Sequence, residues 1–209
     1  MHSYSAKLKH VRSYKALSPK VLKNEQFQSW FHQSWSSRSI EVGCGAGLHP
    51  IQIAKQNPNN AHLALERTQN KFHSFKQRIK THNLNNLMGL NEEALLWLPV
   101  HIEKNTVDSF YFLYPNPYPK EKQSNKRWHR SPFFEFVLKS LKPGGLIHFA
   151  TNESWYAEEC FHYCKEFWKL KDTKCELITD PMDFKPRTHF EKKYLLNGQT
   201  CYDLVFEKP

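Results

Sequence analysis

The feature that most constrains the fold of this chain is a cluster of glycines near residue 45. The 209 residues include only seven glycines, about half the usual frequency of roughly 7%. Gly43, Gly45 and Gly47 all fall within the segment EVGCGAG, directly after a short apolar run. Glycine is needed where the backbone adopts a positive φ or where a ligand approaches it closely. The cluster predicts a strand-to-helix turn that meets a ligand with bare backbone; a tight turn without a ligand is the alternative.

Apolar segments alternate with segments of helical periodicity along the rest of the chain. We predict strands in SIEVG, AHLALE, NLMGL, VDSFYFLYP, LIHFAT, CELIT and CYDLVFE. We predict helices at 21–35, after the glycine turn, after Thr68, at EEALLWL, from Ser131-Pro132 to the stop signal KPGG, and at 155–170. Such alternation favours an α/β fold with a parallel sheet covered on both faces. Ligands of such sheets bind at the carboxyl ends of the strands.

Charge and cysteine content limit the classes of partner and compartment. The formal net charge is +10, which favours a polyanionic partner. Five cysteines without a C-x-x-C pair argue against a disulfide framework and indicate a reducing compartment, so we expect a cytoplasmic protein. No apolar run approaches the roughly 20 residues of a membrane helix, so we expect no membrane partner.

Basic residues are concentrated in two stretches of the sequence. One is the N-terminal segment, with Lys7, Lys9, Arg12, Lys15, Lys20 and Lys23. The other follows the prolines near residue 117, with Lys120, Lys122, Lys126, Arg127 and Arg130. Aromatic residues are interleaved in both, which is typical of surfaces that stack bases and contact phosphates of RNA. We interpret Lys122, Lys126, Arg127 and Arg130 as phosphate contacts; solvated surface charge is the alternative.

Two carboxylates indicate which ligand the glycine turn holds. Glu66 ends the second strand, about 20 residues after the turn, where a carboxylate can accept both hydroxyls of a ribose. Glu41 lies at the end of the first strand, where its charge would repel a pyrophosphate but suit a cation. S-adenosylmethionine carries an ammonium and a sulfonium group. The pattern therefore favours S-adenosylmethionine over a nicotinamide cofactor.

The fourth predicted strand runs into an unusually stiff segment, FYFLYPNPYPK, from Phe110 to Lys120. Three prolines within five residues lock the backbone around Asn116. In a sheet of this kind the segment stands beside the transferable methyl group, so its residues choose the acceptor. We predict that it forms the floor of a site for a nucleobase.

Several ordered motifs resemble those of the tRNA (guanine-N7)-methyltransferase family. IEVGCGAG resembles the family's E-I-G-x-G-x-G, ALERTQ its G-I-E-x-x, and YPNPYPK its F-P-D-P-W-P-K. LKPGG, FATNESWY and THFEKKYLLNGQ resemble the LKPGG, F-x-T-D and T-x-F-E segments that follow. The resemblance covers the chain from about Ile40 to its end. It implies a Rossmann-like class I methyltransferase domain over 37–209, preceded by a basic segment and helix over 1–36. The implied sheet has seven mostly parallel strands, with antiparallel last strands.

The residue roles combine the motif positions with this resemblance. Cofactor-binding residues are Glu41, Gly43, Gly45, Gly47, Glu66, Asn91 and Asn116. Asn116 is also the catalytic residue, and Lys120, Asn152, Thr188 and Glu191 contact the substrate. For Thr188 and Glu191 a hydrogen bond within a turn is the alternative. We expect tRNA as partner, no metal, and a monomer or homodimer.

Two positions depart from the family pattern, which usually has Asp where this chain has Asn116 and Asn152. Guanine N7 carries a free lone pair, so methylation needs no general base, and orientation supplies much of the rate. Asn116 can hydrogen-bond the base but cannot offset positive charge. We therefore predict weakened rather than abolished activity. An RNA-binding relative without methyl transfer, and a methyltransferase of exocyclic amines of the N-P-P-Y type, remain the alternatives.

Overall fold

The computed structural model describes residues 8–15, 23–180 and 185–209. The strands of these residues are β1 (Ser37–Val42), β2 (Asn60–Leu65), β3 (Leu87–Leu90), β4 (Val107–Leu113), β5 (Leu141–Thr151), β6 (Lys171–Ile178) and β7 (Cys201–Glu207). The helices are α1 (Glu25–Phe31), α2 (Leu48–Gln56), α3 (Gln69–His82), α4 (Ala94–His101), α5 (Phe133–Ser140), α6 (Ser154–His162) and α7 (His189–Leu196). Two 3₁₀ segments, Glu121–Lys126 and Trp128–Arg130, lie between β4 and α5.

The strands form one seven-stranded sheet in the order β3-β2-β1-β4-β5-β7-β6. β1 pairs in parallel with β2 on one side and with β4 on the other. β7 runs antiparallel to both β5 and β6. This confirms the predicted sheet. The chain moves outward from β1 to β3 and then returns to β4, so the switch in strand order lies between β1 and β4, where such sheets bind ligands.

The two faces of the sheet differ in chemistry because alternate residues of each strand point to opposite faces. One face carries Ile40, Leu63, Phe110 and Phe149, which are buried in the main core under residues of α1, α4, α5 and α6. The opposite face is more polar, with Ser39, Glu41, His62 and Tyr111 among its residues. Ala64 on that face belongs to a smaller cluster beneath α2 and α3, with Ile51, Ala54, Phe75 and Leu87. The sheet therefore has one apolar, buried face and one more polar face.

Several element boundaries differ from the sequence-based expectation. α1 is shorter than the predicted 21–35 and begins after Asn24, whose side chain accepts from the Phe27 amide. KPGG lies inside β5, since α5 ends at Ser140 and the strand begins at once, with a register shift against β4. The chain beyond α6 continues through a π-helical turn, Tyr163–Phe167.

Some N-terminal expectations fall on parts of the chain that the structure does not describe. Lys7, Lys20 and the first two residues of the predicted helix at 21–35 lie outside the described residues, and the domain boundary at residue 36 stays a prediction. None of the helices in the described segments has both the length and the apolar character that a membrane crossing requires.

Candidate active site

The glycine turn joins β1 to α2 with a left-handed backbone at each of its three glycines. The φ angles of Gly43, Gly45 and Gly47 are +80°, +60° and +79°. The amides of Gly43 and Cys44 both donate to the carbonyl of Leu65 at the end of β2, at 2.8 and 3.1 Å. The turn is therefore fastened to the neighbouring strand, and its conformation favours glycine at every second position.

The space around these glycines separates them into two roles. A Cβ added at Gly43 or Gly45 would meet no atom within 4 Å, whereas one at Gly47 would lie 1.9 Å from the Phe75 ring. Gly47 is therefore glycine because α3 packs against it. Gly43 and Gly45 leave an open cradle of bare backbone, which is what close approach of a cofactor requires.

Glu66 follows β2 and closes one side of this cradle. Its side chain accepts from the amide of Gly45 at 2.9 Å and from that of Thr68 at 2.7 Å. Asn91, after β3, donates its side-chain amide to the Glu66 carbonyl at 2.7 Å. The ends of three adjacent strands thus bring together the glycine turn, the predicted ribose carboxylate and the predicted adenine-side amide.

The position of Glu41 differs from the one expected for a residue that lines the cofactor. It is buried on the polar face of the sheet, where its Oε2 lies 2.6 Å from His49 Nδ1 and 3.4 Å from His62 Nε2. Burial raises the pKa of Glu41, but the two histidines outweigh it and hold the pKa at about 2. Burial raises the pKa of the Cys44 thiol, and the charges of Glu41 and Glu66 raise it further. The buried Glu41 carboxylate therefore acts electrostatically on the glycine turn, in which Cys44 lies.

Glu41, His49 and His62 are close enough together to be considered as metal ligands. Ligands at about 2.0–2.1 Å from one tetrahedral zinc ion lie about 3.3 Å apart. The 2.6 Å separation between Glu41 and His49 is instead a charge-assisted hydrogen-bond distance. We interpret the group as a hydrogen-bonded cluster that supports the start of α2.

The proline segment follows β4, the strand next to β1. Glu41 and Tyr111 are register partners in this pair, so the segment leaves the sheet beside the glycine turn. Tyr114 and Tyr118 have φ angles of +51° and +47°, which are uncommon for residues other than glycine. Asn116 lies exposed between them, and its Oδ1 accepts from the Tyr118 amide at 3.2 Å. We name Tyr114 to Lys120 the acceptor loop.

The first end of the acceptor loop is anchored by α7. The Tyr114 hydroxyl donates to Glu191 Oε1 at 2.7 Å, and Glu191 is fully buried. The Arg187 guanidinium donates to the same oxygen at 2.9 Å. Burial raises the pKa of Tyr114 well above its usual value, and the Glu191 charge raises it further. Thr188 caps α7 by accepting from the Glu191 amide at 3.0 Å. Thr188 therefore makes a local hydrogen bond, the alternative that the sequence had left open, whereas Glu191 also binds a residue 77 positions away. Contact of either residue with the substrate stays a prediction.

The second end of the loop leads into the basic segment, whose members divide by exposure. Lys120, Lys122 and Lys126 are exposed. Arg127 is only 3% exposed and pairs with Glu159 at 2.8 Å, and Arg130 Nη1 also lies 2.8 Å from Glu159. These two arginines differ from the expected phosphate contacts, because a buried carboxylate already holds their guanidinium groups.

Asn152, which the sequence analysis assigned to substrate contact, directly follows β5. Its side-chain amide donates to the Gln199 side chain at 3.2 Å, next to β7. Sequence reasoning missed Glu159 altogether. A signal for it existed: Glu159 lies on α6 at helical spacing with Tyr156, Tyr163 and Cys160, all buried, so that an acid on that face needs internal partners.

Two solved structures with the same fold are described as methyltransferases. The crystal structure of the 16S rRNA methyltransferase KamB matches with a TM-score of 0.67 at 18% identity, covering 91% of this chain and 96% of that one. An antibiotic-related methyltransferase matches with a TM-score of 0.67 at 13% identity, over 90% and 96% of the two chains. The sheet order, the glycine turn and Glu66 define a Rossmann-like class I methyltransferase fold.

The family follows from the sequence comparisons. A family model described as "Putative methyltransferase" matches residues 36–204. A protein of Nitrosomonas eutropha is 31% identical over 169 residues, 81% of this chain and 75% of its own length. One of Ralstonia pickettii is 28% identical over 178 residues, 85% and 69% of the two chains. Both relatives are named tRNA (guanine-N(7)-)-methyltransferase. This chain belongs to that putative methyltransferase family.

Proposed function

We propose that this protein transfers a methyl group from S-adenosylmethionine to N7 of a guanine in tRNA. The observation that carries the proposal is the pairing of β1 with β4. It sets the open cradle at Gly43 and Gly45 directly beside the acceptor loop with Asn116. A donor on one strand end and an acceptor on the next can then approach in line, which supplies much of the rate of such a transfer.

The cofactor side of the site fits S-adenosylmethionine, which supplies an electrophilic methyl group when bound. Gly43 and Gly45 offer backbone without side chains, and Glu66 offers a carboxylate to the ribose hydroxyls. Asn91 would lie beside the adenine. Glu41 remains ionised beneath the turn, and its charge favours a cationic ligand over a pyrophosphate.

The acceptor side fits a base that needs orientation rather than deprotonation. Asn116 is exposed, and its Oδ1 accepts from the Tyr118 amide, which turns its NH₂ group into the available donor. An amide donor can hold a guanine edge, whereas guanine N7 attacks through its own lone pair. Asn116 thus positions the base without acting as a general base, and Lys120 stands next to it on the loop.

The surface around the site fits a polyanion. Lys120, Lys122 and Lys126 are exposed after the acceptor loop. α3, which starts beside Glu66, contains no acidic residue and exposes Lys71, Lys76 and Lys80. The names of the relatives supply the nature of the polyanion, a tRNA. Phosphate contacts of this kind give affinity that falls steeply with salt.

The direct test is methyl transfer to unmodified tRNA with labelled S-adenosylmethionine, followed by identification of the product nucleoside. We expect 7-methylguanosine. N6-methyladenosine would instead identify an exocyclic-amine methyltransferase. Cofactor binding by calorimetry together with tRNA binding, but without product, would identify an RNA-binding relative that no longer transfers methyl groups. A cytoplasmic location and the oligomeric state stay predictions.

A further inference from the structure

We propose that Arg127 is a positioning residue of this methyltransferase, fixed by Glu159 and holding the second end of the acceptor loop in place. The inference rests on the proposed function, since it concerns how Asn116 is presented to the base. Its physical basis is a set of hydrogen bonds from one buried guanidinium both to the loop backbone and to a buried carboxylate.

The contacts of Arg127 reach the loop at two successive carbonyls. Its Nε and Nη2 donate to the carbonyl of Tyr118 at 3.1 and 3.0 Å, and Nη2 also donates to that of Pro119 at 3.3 Å. Nη1 donates to both carboxylate oxygens of Glu159 at 2.8 and 2.9 Å. The planar fork of arginine allows this double use, which the single ammonium of a lysine does not.

Glu159 is itself held rigidly on α6. His129 Nε2 lies 2.8 Å from Oε2, and Arg130 Nη1 donates to Oε1 at 2.8 Å. The Arg127 guanidinium also lies over the Trp155 ring, 4.9 Å from its centroid. Buried ion pairs contribute little net stability. A cluster of this kind is better suited to fixing the geometry of a loop than to stabilising the fold. Residues that support a functional site need to fix geometry in this way.

The acceptor loop needs such support because its backbone is strained. Tyr114 and Tyr118 both adopt positive φ, and strained residues persist only where the surrounding structure determines them. Tyr114 is held by Glu191, so each end of the loop is tied to a different buried carboxylate. Asn116 lies between these two anchors, so its position depends on both of them.

The test compares the holoenzyme with its Arg127→Lys variant, which keeps a cation for Glu159 but loses the fork. We expect kcat for tRNA methylation to fall by about tenfold to a hundredfold, as a misplacement near 1 Å can cost. KM for tRNA, the affinity for S-adenosylmethionine and the salt dependence of tRNA binding should stay within about twofold. Hydrogen exchange of the 114–122 peptide should accelerate by about tenfold.

Two controls separate positioning from other roles. Arg130→Lys alters the same carboxylate cluster, but Arg130 bonds the side chains of Glu121 and Glu159 rather than a carbonyl of the acceptor loop, so it should accelerate exchange within residues 114–120 far less. Lys171→Ala, on the exposed edge strand β6, should change none of these quantities. If Arg127→Lys does not fold, the double variant Arg127→Met/Glu159→Gln removes both buried charges together and should give the same kcat and exchange effects.

The results that would contradict the role of Arg127 can be told apart from the result that would contradict the proposed function. A raised KM, a salt slope reduced by about one, and unchanged loop exchange would make Arg127 a phosphate contact and overturn the proposal. Unchanged loop exchange alone would also overturn it. If the unaltered protein methylates no tRNA, the proposed function fails, and the exchange comparison still decides whether Arg127 holds the loop.

Discussion

The glycine turn and the acceptor loop lie at the ends of neighbouring strands and solve the same problem in opposite ways. Both need backbone with positive φ. The turn uses three glycines and is fastened by backbone amides to Leu65 and Glu66. The loop uses two tyrosines, Tyr114 and Tyr118, and is fastened by side chains to Glu191 and, through Arg127, to Glu159.

The difference shows what each region has to do. Glycine turns need little support to adopt their shape, and they leave room for a ligand. A loop of tyrosines and prolines is stiffer, but it must be held in its strained form by long-range contacts. The cofactor side therefore depends on backbone that carries no side chains, whereas the acceptor side depends on side-chain contacts that hold its backbone in place.

The largest expected effect comes from Gly47→Ala. The new Cβ would lie 1.9 Å from the Phe75 ring, so overpacking and left-handed strain add to a loss of about 2–5 kcal/mol in unfolding free energy. Urea unfolding measures it. Gly43→Ala is the matched control, with the same φ and open space, and should lose only about 1–2 kcal/mol. Equal losses in the two variants would contradict the division of roles among the glycines.

Acid should weaken the support of the glycine turn. The pKa of Glu41 is held at about 2 by His49 and His62, so below pH 4.5, its ordinary value, the unfolded state binds a proton that the folded state does not. Stability should fall as the pH drops from about 4.5 towards 2, by up to about 3 kcal/mol for this group. Urea unfolding of Glu41→Gln across this range should give a shallower pH dependence than the unaltered protein. Parallel curves would argue against the role of Glu41.

Gly43→Ala should weaken cofactor binding in addition to its effect on folding. The added methyl group would occupy the cradle that S-adenosylmethionine needs, so its Kd should rise by about tenfold or more, equivalent to at least about 1.4 kcal/mol. Calorimetry with S-adenosylhomocysteine measures this without turnover. An affinity equal to that of the unaltered chain would place the cofactor elsewhere and remove the contrast between the two regions.

The smallest effect is expected from Asn116→Asp in the acceptor loop. A carboxylate can accept the Tyr118 amide as Asn116 does, and in addition it can offset the charge that arrives on the purine. We expect methyl transfer to tRNA to rise by about threefold to tenfold in kcat, or roughly 1 kcal/mol, with cofactor affinity unchanged. Single-turnover assays measure it. A decrease would indicate that the loop geometry depends on the Asn116 amide.

Much of the cofactor side could be predicted from the sequence because its signals are local. The spacing of Gly43, Gly45 and Gly47 and the position of Glu66 one strand later follow from the repeat of strand, turn and helix. The seven mostly parallel strands and the antiparallel last strands were also predicted correctly, whereas the order of the strands in the sheet was not predicted. The place of Glu41 was not, because the sequence shows that a strand carries an acid but not that His49 and His62 enclose it.

The sequence by itself determined where the chain bends, which turn is bare and where the stiff acceptor loop lies. Glycine permits backbone conformations that other residues avoid, and proline fixes φ, wherever they occur. Only the tertiary structure decided which charged side chains are buried and paired inside the protein. Arg127 lies 32 residues before Glu159, and Tyr114 lies 77 before Glu191. Such pairs form when packed elements meet, so a basic run that appears uniform in sequence divides into exposed lysines and buried arginines.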